Sequence, residues 1–183
     1  MTKELLEAFE KANNSLLTKD KSLFGMNVSE RTLCGALMLH LAEELKKKEV
    51  FSGYYVDVEY NRNRGGKLKT MSKTAFGEDE KIITIDCDLI VHSRGENISQ
   101  DNLMAIEMKK SSRPKIDKEK DKERVRILTK DGYGAWSFDG ETLPEHVCRY
   151  ILGVYYEVNF SKRKISLEFY KKGALFEEVV IDY

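Results

Sequence analysis

Two carboxylates and one lysine interrupt segments that otherwise have the composition of buried β-strands. Asp88 lies within "KIITIDCDLIVH", and Glu107 and Lys109 lie within "NLMAIEMKK". Because strand side chains alternate between the two faces of a sheet, Glu107 and Lys109 are predicted to share a face with Leu103 and Ala105. If the two segments pair as a hairpin, Asp88 is predicted to converge with Glu107 and Lys109 on one patch.

Such a patch needs a compensating charge, because burying neighbouring carboxylates costs several kcal/mol for each group. A divalent cation is the natural compensation, and Mg²⁺ prefers oxygen ligands. The pattern therefore indicates a metal site. The same residues leave a structural alternative open, in which Glu107 and Lys109 form a buried ion pair that needs neither Asp88 nor Glu30 nearby.

A third carboxylate, Glu30, belongs to a helix predicted over residues 30–48. Ser29 is a suitable N-cap for this helix. Glu30 stands one turn before the first of four leucines, so we expect it to point toward the sheet. The alternative is a first-turn glutamate that only complements the helix dipole. The leucines recur at helical spacing: Leu33, Leu37, Leu41 and Leu45.

The elements that position these side chains follow the order helix, three strands, helix, strands, which predicts an α/β fold with a mixed β-sheet core. The first helix is expected to end near Asn13 and Asn14, and a charged helix is expected at about residues 115–130. We predict a single domain over residues 1–183, with a core at about 28–158 and a C-terminal β-hairpin at 163–183.

Alternation within the predicted strand over residues 81–92 assigns its side chains to two faces. Cys87 is expected on the face that carries Leu89 and Val91, and Asp88 on the face that carries Ile90. The strand ends at a histidine, His92, that we expect to be solvated.

Charge is balanced over the whole chain, with 31 basic and 31 acidic side chains, but it is unevenly distributed. Residues 108–126, which include Lys110, hold nine basic and four acidic residues. Contact with phosphates is one interpretation of this run, and a solvated charged helix is the other. Five further cations crowd the connection at residues 61–80, where we also expect phosphate contacts: Arg62, Arg64, Lys67, Lys69 and Lys73.

The three cysteines are far apart and lack the spacing of a zinc site, which favours a reducing compartment. The amphipathic, acidic N-terminus does not have the pattern of a signal peptide, and no apolar run approaches the length of a membrane span. A cytoplasmic protein with no membrane partner is therefore expected.

The blocks "VSERTL", "VDVEYNR", "DLIVHSRG" and "NLMAIEMKK" occur in this order. With Asp88 nineteen residues before the triplet Glu107-Met108-Lys109, they make the chain resemble the PD-(D/E)XK nuclease superfamily, in particular its small bacterial and phage-like members. The resemblance covers about residues 28–110, with weaker support to about 158. Cys87 stands where that superfamily usually has a proline before the aspartate.

The resemblance implies a restriction-endonuclease-like fold and a metal-dependent nuclease. Asp88 and Glu107 would hold Mg²⁺ or Mn²⁺, the Met108 carbonyl would complete the protein ligands, and Glu30 would bind directly or through water. Lys109 would orient or help to activate the attacking water.

The substrate that the resemblance implies is nucleic acid, with DNA favoured over RNA. The residues expected to contact it are Arg62, Arg64, Lys67 and Lys110. A catalytically inactive adaptor or nucleic-acid-binding module of the same fold is the alternative, and the sequence leaves a homodimer open.

Overall fold

The computed structural model describes the chain except for residues 59–68, 73–81, 85–86, 98, 131–134, 138–144 and 147–148. For residues 69–72, 82–84, 135–137 and 145–146 it describes the backbone only. The described helices are α1 (Thr2–Lys19), α2 (Lys21–Gly25), α3 (Glu30–Lys46) and α4 (Lys115–Thr129), with a single 3₁₀ turn at Glu49–Phe51. The described strands are β1 (Tyr55–Val58), β2 (Lys69–Ser72), β3 (Ile82–Thr84), β4 (Leu89–His92), β5 (Asn102–Lys110), β6 (Ala135–Ser137), β7 (Glu145–His146), β8 (Leu152–Asn159), β9 (Lys164–Lys171) and β10 (Ala174–Asp182).

The main sheet has six strands in the order β1-β4-β5-β8-β9-β10. Its β5 and β8 strands run parallel, and every other neighbouring pair in it is antiparallel. Parallel neighbours need a long crossover, which α4 provides between β5 and β8. This arrangement confirms the predicted mixed sheet flanked by helices, and β9 with β10 forms the predicted C-terminal hairpin. A second, antiparallel sheet has the order β3-β2-β6-β7.

Helices cover the two faces of the main sheet unequally. The predicted leucine stripe of α3 packs with α1 and with Met104, Ile106 and Met108 of β5 in one large apolar cluster. On the other face, Ala105 packs with Ile127 and Leu128 of α4. Alternation along β5 therefore separates an apolar layer from the layer that contains Glu107 and Lys109.

The predicted end of the first helix is wrong, because α1 continues past Asn13 and Asn14 to Lys19. Asn13 is buried, and its Oδ1 accepts a hydrogen bond from the Tyr156 hydroxyl at 2.7 Å, which satisfies a polar group inside the helix. The predicted N-cap of α3 is confirmed, since Ser29 Oγ accepts the Thr32 N–H at 3.1 Å. This helix ends at Lys46, two residues earlier than predicted.

The single strand predicted over residues 81–92 is also wrong, because its two halves belong to different sheets. Residues 82–84 form β3 of the second sheet, and the main sheet receives only β4, which begins at Leu89. Cys87 lies before β4, where strand alternation no longer applies, and it packs with Ile90 and Ala105 rather than with the Leu89 face. His92 is buried, not solvated, and its Nε2 lies 2.9 Å from Asp57 Oδ2.

Within the described part of the chain, no helix has the length and apolar character needed to cross a membrane.

Candidate active site

Asp88 and β5 meet as the predicted hairpin requires. Leu89 pairs with Ile106 at the start of the antiparallel β4–β5 ladder, so Asp88 lies directly beside the end of β5. Its Oδ2 accepts the Met108 N–H at 2.8 Å. Burial raises the pKa of the Asp88 carboxyl, although the Met108 N–H opposes the shift.

Glu107 projects from the same end of β5 toward α4 and is 1% exposed. Its Oε1 accepts a hydrogen bond from Arg124 Nη1 at 2.7 Å. Burial raises the pKa of Glu107 to about 8, with Asp88 adding to the shift and the Arg124 guanidinium opposing it. A carboxyl held this way keeps its proton near neutral pH unless further positive charge approaches.

Lys109, one pleat further along, pairs with a different acid. Its Nζ lies 2.7 Å from Asp121 Oδ2, and Asp121 is buried on α4. Burial lowers the pKa of Lys109, but Asp121, Glu30 and Asp88 raise it by more, so the net shift is upward. The lysine is therefore a charged donor. Because Glu107 pairs with Arg124, the structural alternative of a direct Glu107–Lys109 ion pair is not what the structure contains.

Sequence reasoning missed Asp121 and Arg124, treating them as part of a uniformly charged helix. Arg124 Nη1 also donates to Asp121 Oδ1 at 3.2 Å, so the two residues link Glu107 to Lys109 through α4. A signal was present in the helical spacing: Asp121 and Arg124 precede the buried Val125 and Leu128 by four residues each. That spacing places them on the inward face of α4.

Glu30 reaches the end of β5 by another route. Its Oε1 accepts the backbone N–H of Lys110 at 2.8 Å, and Arg113 Nε lies 3.3 Å from the same oxygen. Lys110 Nζ in turn donates to the main-chain oxygen of Asn27 at 3.2 Å. The carboxylate of Glu30 is thus near the site and interacts electrostatically with Lys109, but it is bound to the strand end. Its role as a metal ligand stays a prediction.

The Met108 carbonyl lies on the Asp88 side of β5. In an extended strand the N–H and the C=O of one residue point to the same edge, and the Met108 N–H points at Asp88. The oxygen donors brought together are therefore two carboxylates and one main-chain carbonyl.

Among the described residues, no group of three or more Asp, Glu, His or Cys side chains is arranged to hold a metal ion. Of the predicted carboxylate ligands, Asp88 and Glu107 lie beside each other near the end of β5, and Glu30 is bound to the Lys110 N–H nearby; their roles as ligands stay a prediction. Both carboxyls have raised pKa values, and Arg124 and Lys109 supply the positive charge in the cluster. Hard oxygen donors of this kind match Mg²⁺, which keeps several waters and needs few protein ligands.

The basic run at residues 108–126 is more neutralised than the sequence indicated. Lys118 pairs with Glu157 on β8, and Lys122 pairs with Glu168 on β9. Lys115 is exposed and has no ion-pair partner in the described part of the chain. Of the phosphate contacts predicted in the connection at residues 61–80, only the backbone of Lys69 is described, and four fall outside the described residues: Arg62, Arg64, Lys67 and Lys73.

No protein-family model, no curated protein and no solved structure matches this chain.

Proposed function

We propose that this protein is a metal-dependent nuclease of restriction-endonuclease-like fold that hydrolyses phosphodiester bonds, in DNA rather than RNA. The observation that carries the proposal is the convergence of Asp88 and Glu107 at adjacent strand ends, both with raised pKa values, beside a protonated Lys109. A cluster of perturbed acids is expected at functional sites, where environment tunes charge. The preference for DNA rests on the resemblance in sequence.

Asp88, Glu107 and the Met108 carbonyl would hold a Mg²⁺ or Mn²⁺ ion. A nearby dication favours ionised carboxylates, so it would reverse the shifts that burial imposes on both acids. When bound, the ion would polarise the scissile phosphate and lower the pKa of the attacking water.

Lys109 acts in this proposal as a positively charged donor, because Asp121, Glu30 and Asp88 together raise its pKa above the usual value for a lysine. It would orient the water and offset the charge that develops on the phosphate oxygens. Its Nζ carries three N–H donors and lies 2.7 Å from Asp121 Oδ2, so Asp121 would position the lysine while another N–H faces the water. Arg124 would position Glu107 in the same way.

The roles are tested by comparing metal binding with cleavage in three variants. Asp88→Ala and Glu107→Ala should reduce cleavage by roughly 10³-fold and also weaken Mg²⁺ or Mn²⁺ binding in calorimetry. Lys109→Ala should reduce cleavage comparably while metal binding is kept or strengthened, because a nearby cation disfavours the ion. Circular and linear DNA and RNA, each incubated with Mg²⁺ or Mn²⁺, identify the substrate.

Glu119→Ala is the matched control, since Glu119 is an exposed acid of the same helix that carries Asp121 and should change neither quantity. All variants are first shown to unfold like the parent protein. If folded Asp88→Ala binds the metal as well as the parent, or folded Lys109→Ala cleaves normally, the proposed roles are wrong. A parent protein that binds DNA without cleaving it supports the inactive adaptor instead.

Phosphate contact is tested by charge reversal at Arg62, Arg64 and Lys67. We expect DNA affinity to fall for all sequences alike and the salt dependence of binding to become shallower, because fewer counterions are released. Lys162→Glu serves as the control, since Lys162 is an exposed residue in the turn between β8 and β9. DNA affinity that changes neither on charge reversal nor on addition of salt contradicts this part of the proposal.

A further inference from the structure

The β10 strand is an exposed edge of the six-stranded sheet. It is nine residues long, and its described neighbour is β9 alone. Leu175, Phe176 and Val180 are 40%, 46% and 61% exposed, so the edge presents apolar side chains as well as main-chain groups. An edge of this kind is a template for pairing with another strand.

We propose that β10 pairs antiparallel with the β10 of a second copy of this chain, across a two-fold axis through Val179. A two-fold contact uses the same surface on both copies and closes on itself, so it stops at a dimer. The pairing would join the two main sheets into one. It is independent of the proposed nuclease activity.

The regular part of the edge limits the registers that can form. A bulge lies between Leu175 and Glu177, and β10 is regularly paired with β9 from Glu177 to Asp182. A two-fold axis perpendicular to the sheet leaves each side chain on the same face of the sheet. Directly opposed residues must therefore share a face, which requires that one residue lie opposite its own copy at the axis.

The acidic residues disfavour the neighbouring registers. In the β9–β10 ladder Glu178 does lie opposite Glu168, but there Lys122 pairs with Glu168. An axis through Glu177 or Glu178 places that glutamate opposite its own copy, and an axis through Val180 places Glu178 opposite Asp182. Like charges directly opposite each other destabilise a strand pair. An axis through Ile181 avoids this clash but pairs only three strand residues.

The axis through Val179 remains. It places Val179 opposite its copy, Glu177 opposite Ile181 and Glu178 opposite Val180, so no acid faces an acid directly. Neither glutamate has an ion-pair partner among the residues that the structure describes. The charge pattern of β10 therefore both protects the edge from indiscriminate pairing and selects one symmetric register.

A largely apolar groove beside the edge also favours a second copy of this chain as the partner. A cavity of about 150 Å³ is lined by Leu17 of α1, Leu167 and Phe169 of β9, and Val179 and Ile181 of β10, with Glu10, Asn13 and Asn14 of α1 as its polar side. In the selected register the partner's Val179 and Ile181 lie on this same face, next to the groove. Pairing would thus extend an apolar surface that the single chain leaves partly open.

Substitutions at Val180 test the register, because this exposed side chain faces Glu178 of the second copy. Val180→Glu should weaken dimerisation by roughly tenfold, since each dimer then holds two opposed acid pairs. Val180→Lys should preserve or tighten the dimer by facing Glu178 with a cation. Combining Val180→Glu with Glu178→Lys should restore the dimer, because the glutamate at position 180 then faces the lysine at position 178 of the second copy.

Sedimentation velocity over a range of concentrations measures these changes, with the parent expected to reach twice its mass of 21.1 kDa. Leu39→Glu on α3 is the control, since Leu39 is 61% exposed, as Val180 is, but lies away from the edge. Circular dichroism establishes that each variant is folded. A monomeric parent, a dimer indifferent to Val180→Glu, or a failure of the double variant to recover would each overturn the proposal.

Discussion

The two faces of the main sheet differ in the side chains they bury, although β5 contributes to both. Toward α1 and α3 it contributes Met104, Ile106 and Met108 to an apolar cluster. Toward α4 it contributes Glu107 and Lys109, which pair with Arg124 and Asp121 of that helix. Neighbouring residues of one strand therefore belong to an apolar core and to a buried ionic network.

This difference separates stability from chemistry. Burying a leucine side chain stabilises a fold by about 1.5–3 kcal/mol, whereas a buried ion pair roughly offsets its own desolvation. We infer that the α3 face supplies most of the stability and that the α4 face keeps its charges for the proposed site. Substitutions on the two faces can break or sharpen this distinction.

Leu37→Ala on the apolar face should have the largest effect on stability. Leu37 is fully buried, and its truncation should lower the free energy of unfolding by about 2–5 kcal/mol in urea titrations. Cleavage per folded molecule should stay near the parent value, since Leu37 faces away from Glu107. A selective loss of cleavage in the folded variant would show that the two faces are coupled.

The ionic face should make stability depend on pH. The pKa of Glu107 is raised from 4.5 to about 8, so the folded protein retains a proton that the unfolded chain has lost. The contribution of Glu107 to the free energy of unfolding of the metal-free protein should therefore be highest below about pH 4.5 and should fall as the pH rises toward about 8. The expected loss is on the order of a few kcal/mol.

Glu107→Gln should flatten this pH dependence, because the amide cannot titrate and has nearly the same shape. Urea titrations at several pH values, in a buffer containing a chelator, compare the two proteins. An unchanged slope in the variant would mean that another group titrates in this range.

Gly153→Ala should displace α4 from its packing against the sheet. Gly153 lies on β8 beneath α4, and an added Cβ would overlap Val125 Cγ1 and lie 2.8 Å from Thr129 Cγ2. We expect a loss of about 1–3 kcal/mol, together with reduced cleavage, because Asp121 and Arg124 would move with the helix. Normal cleavage in a destabilised variant would show that their positions matter little.

Gly35→Ala is the smallest change and should have the opposite sign. Gly35 lies inside α3, and an added Cβ would meet nothing within 4 Å. Alanine is more favourable than glycine in a helix interior, so the variant should gain up to about 1 kcal/mol of stability, with unchanged cleavage. Thermal and urea unfolding measure the gain, and a loss would indicate packing that the structure does not show.

Local patterns were sufficient for much of the fold. Helical spacing of the leucines and the Ser29 cap predicted α3, and alternation predicted the shared face of Glu107 and Lys109. These features depend on neighbours a few residues apart, so the sequence carries them directly. Where a long-range contact intervened, as with Tyr156 and Asn13 in α1, the predicted boundary was wrong.

The sequence by itself thus determined that Glu107 and Lys109 lie on one face of β5, because the period of a strand is a local property. Only the tertiary structure decided which charges pair: Glu107 with Arg124, and Lys109 with Asp121. It also divided the residue 81–92 segment between two sheets. The physical reason is that ion-pair partners and sheet membership depend on how α4 and the strands dock, and docking is set by the packing of residues far apart in the chain.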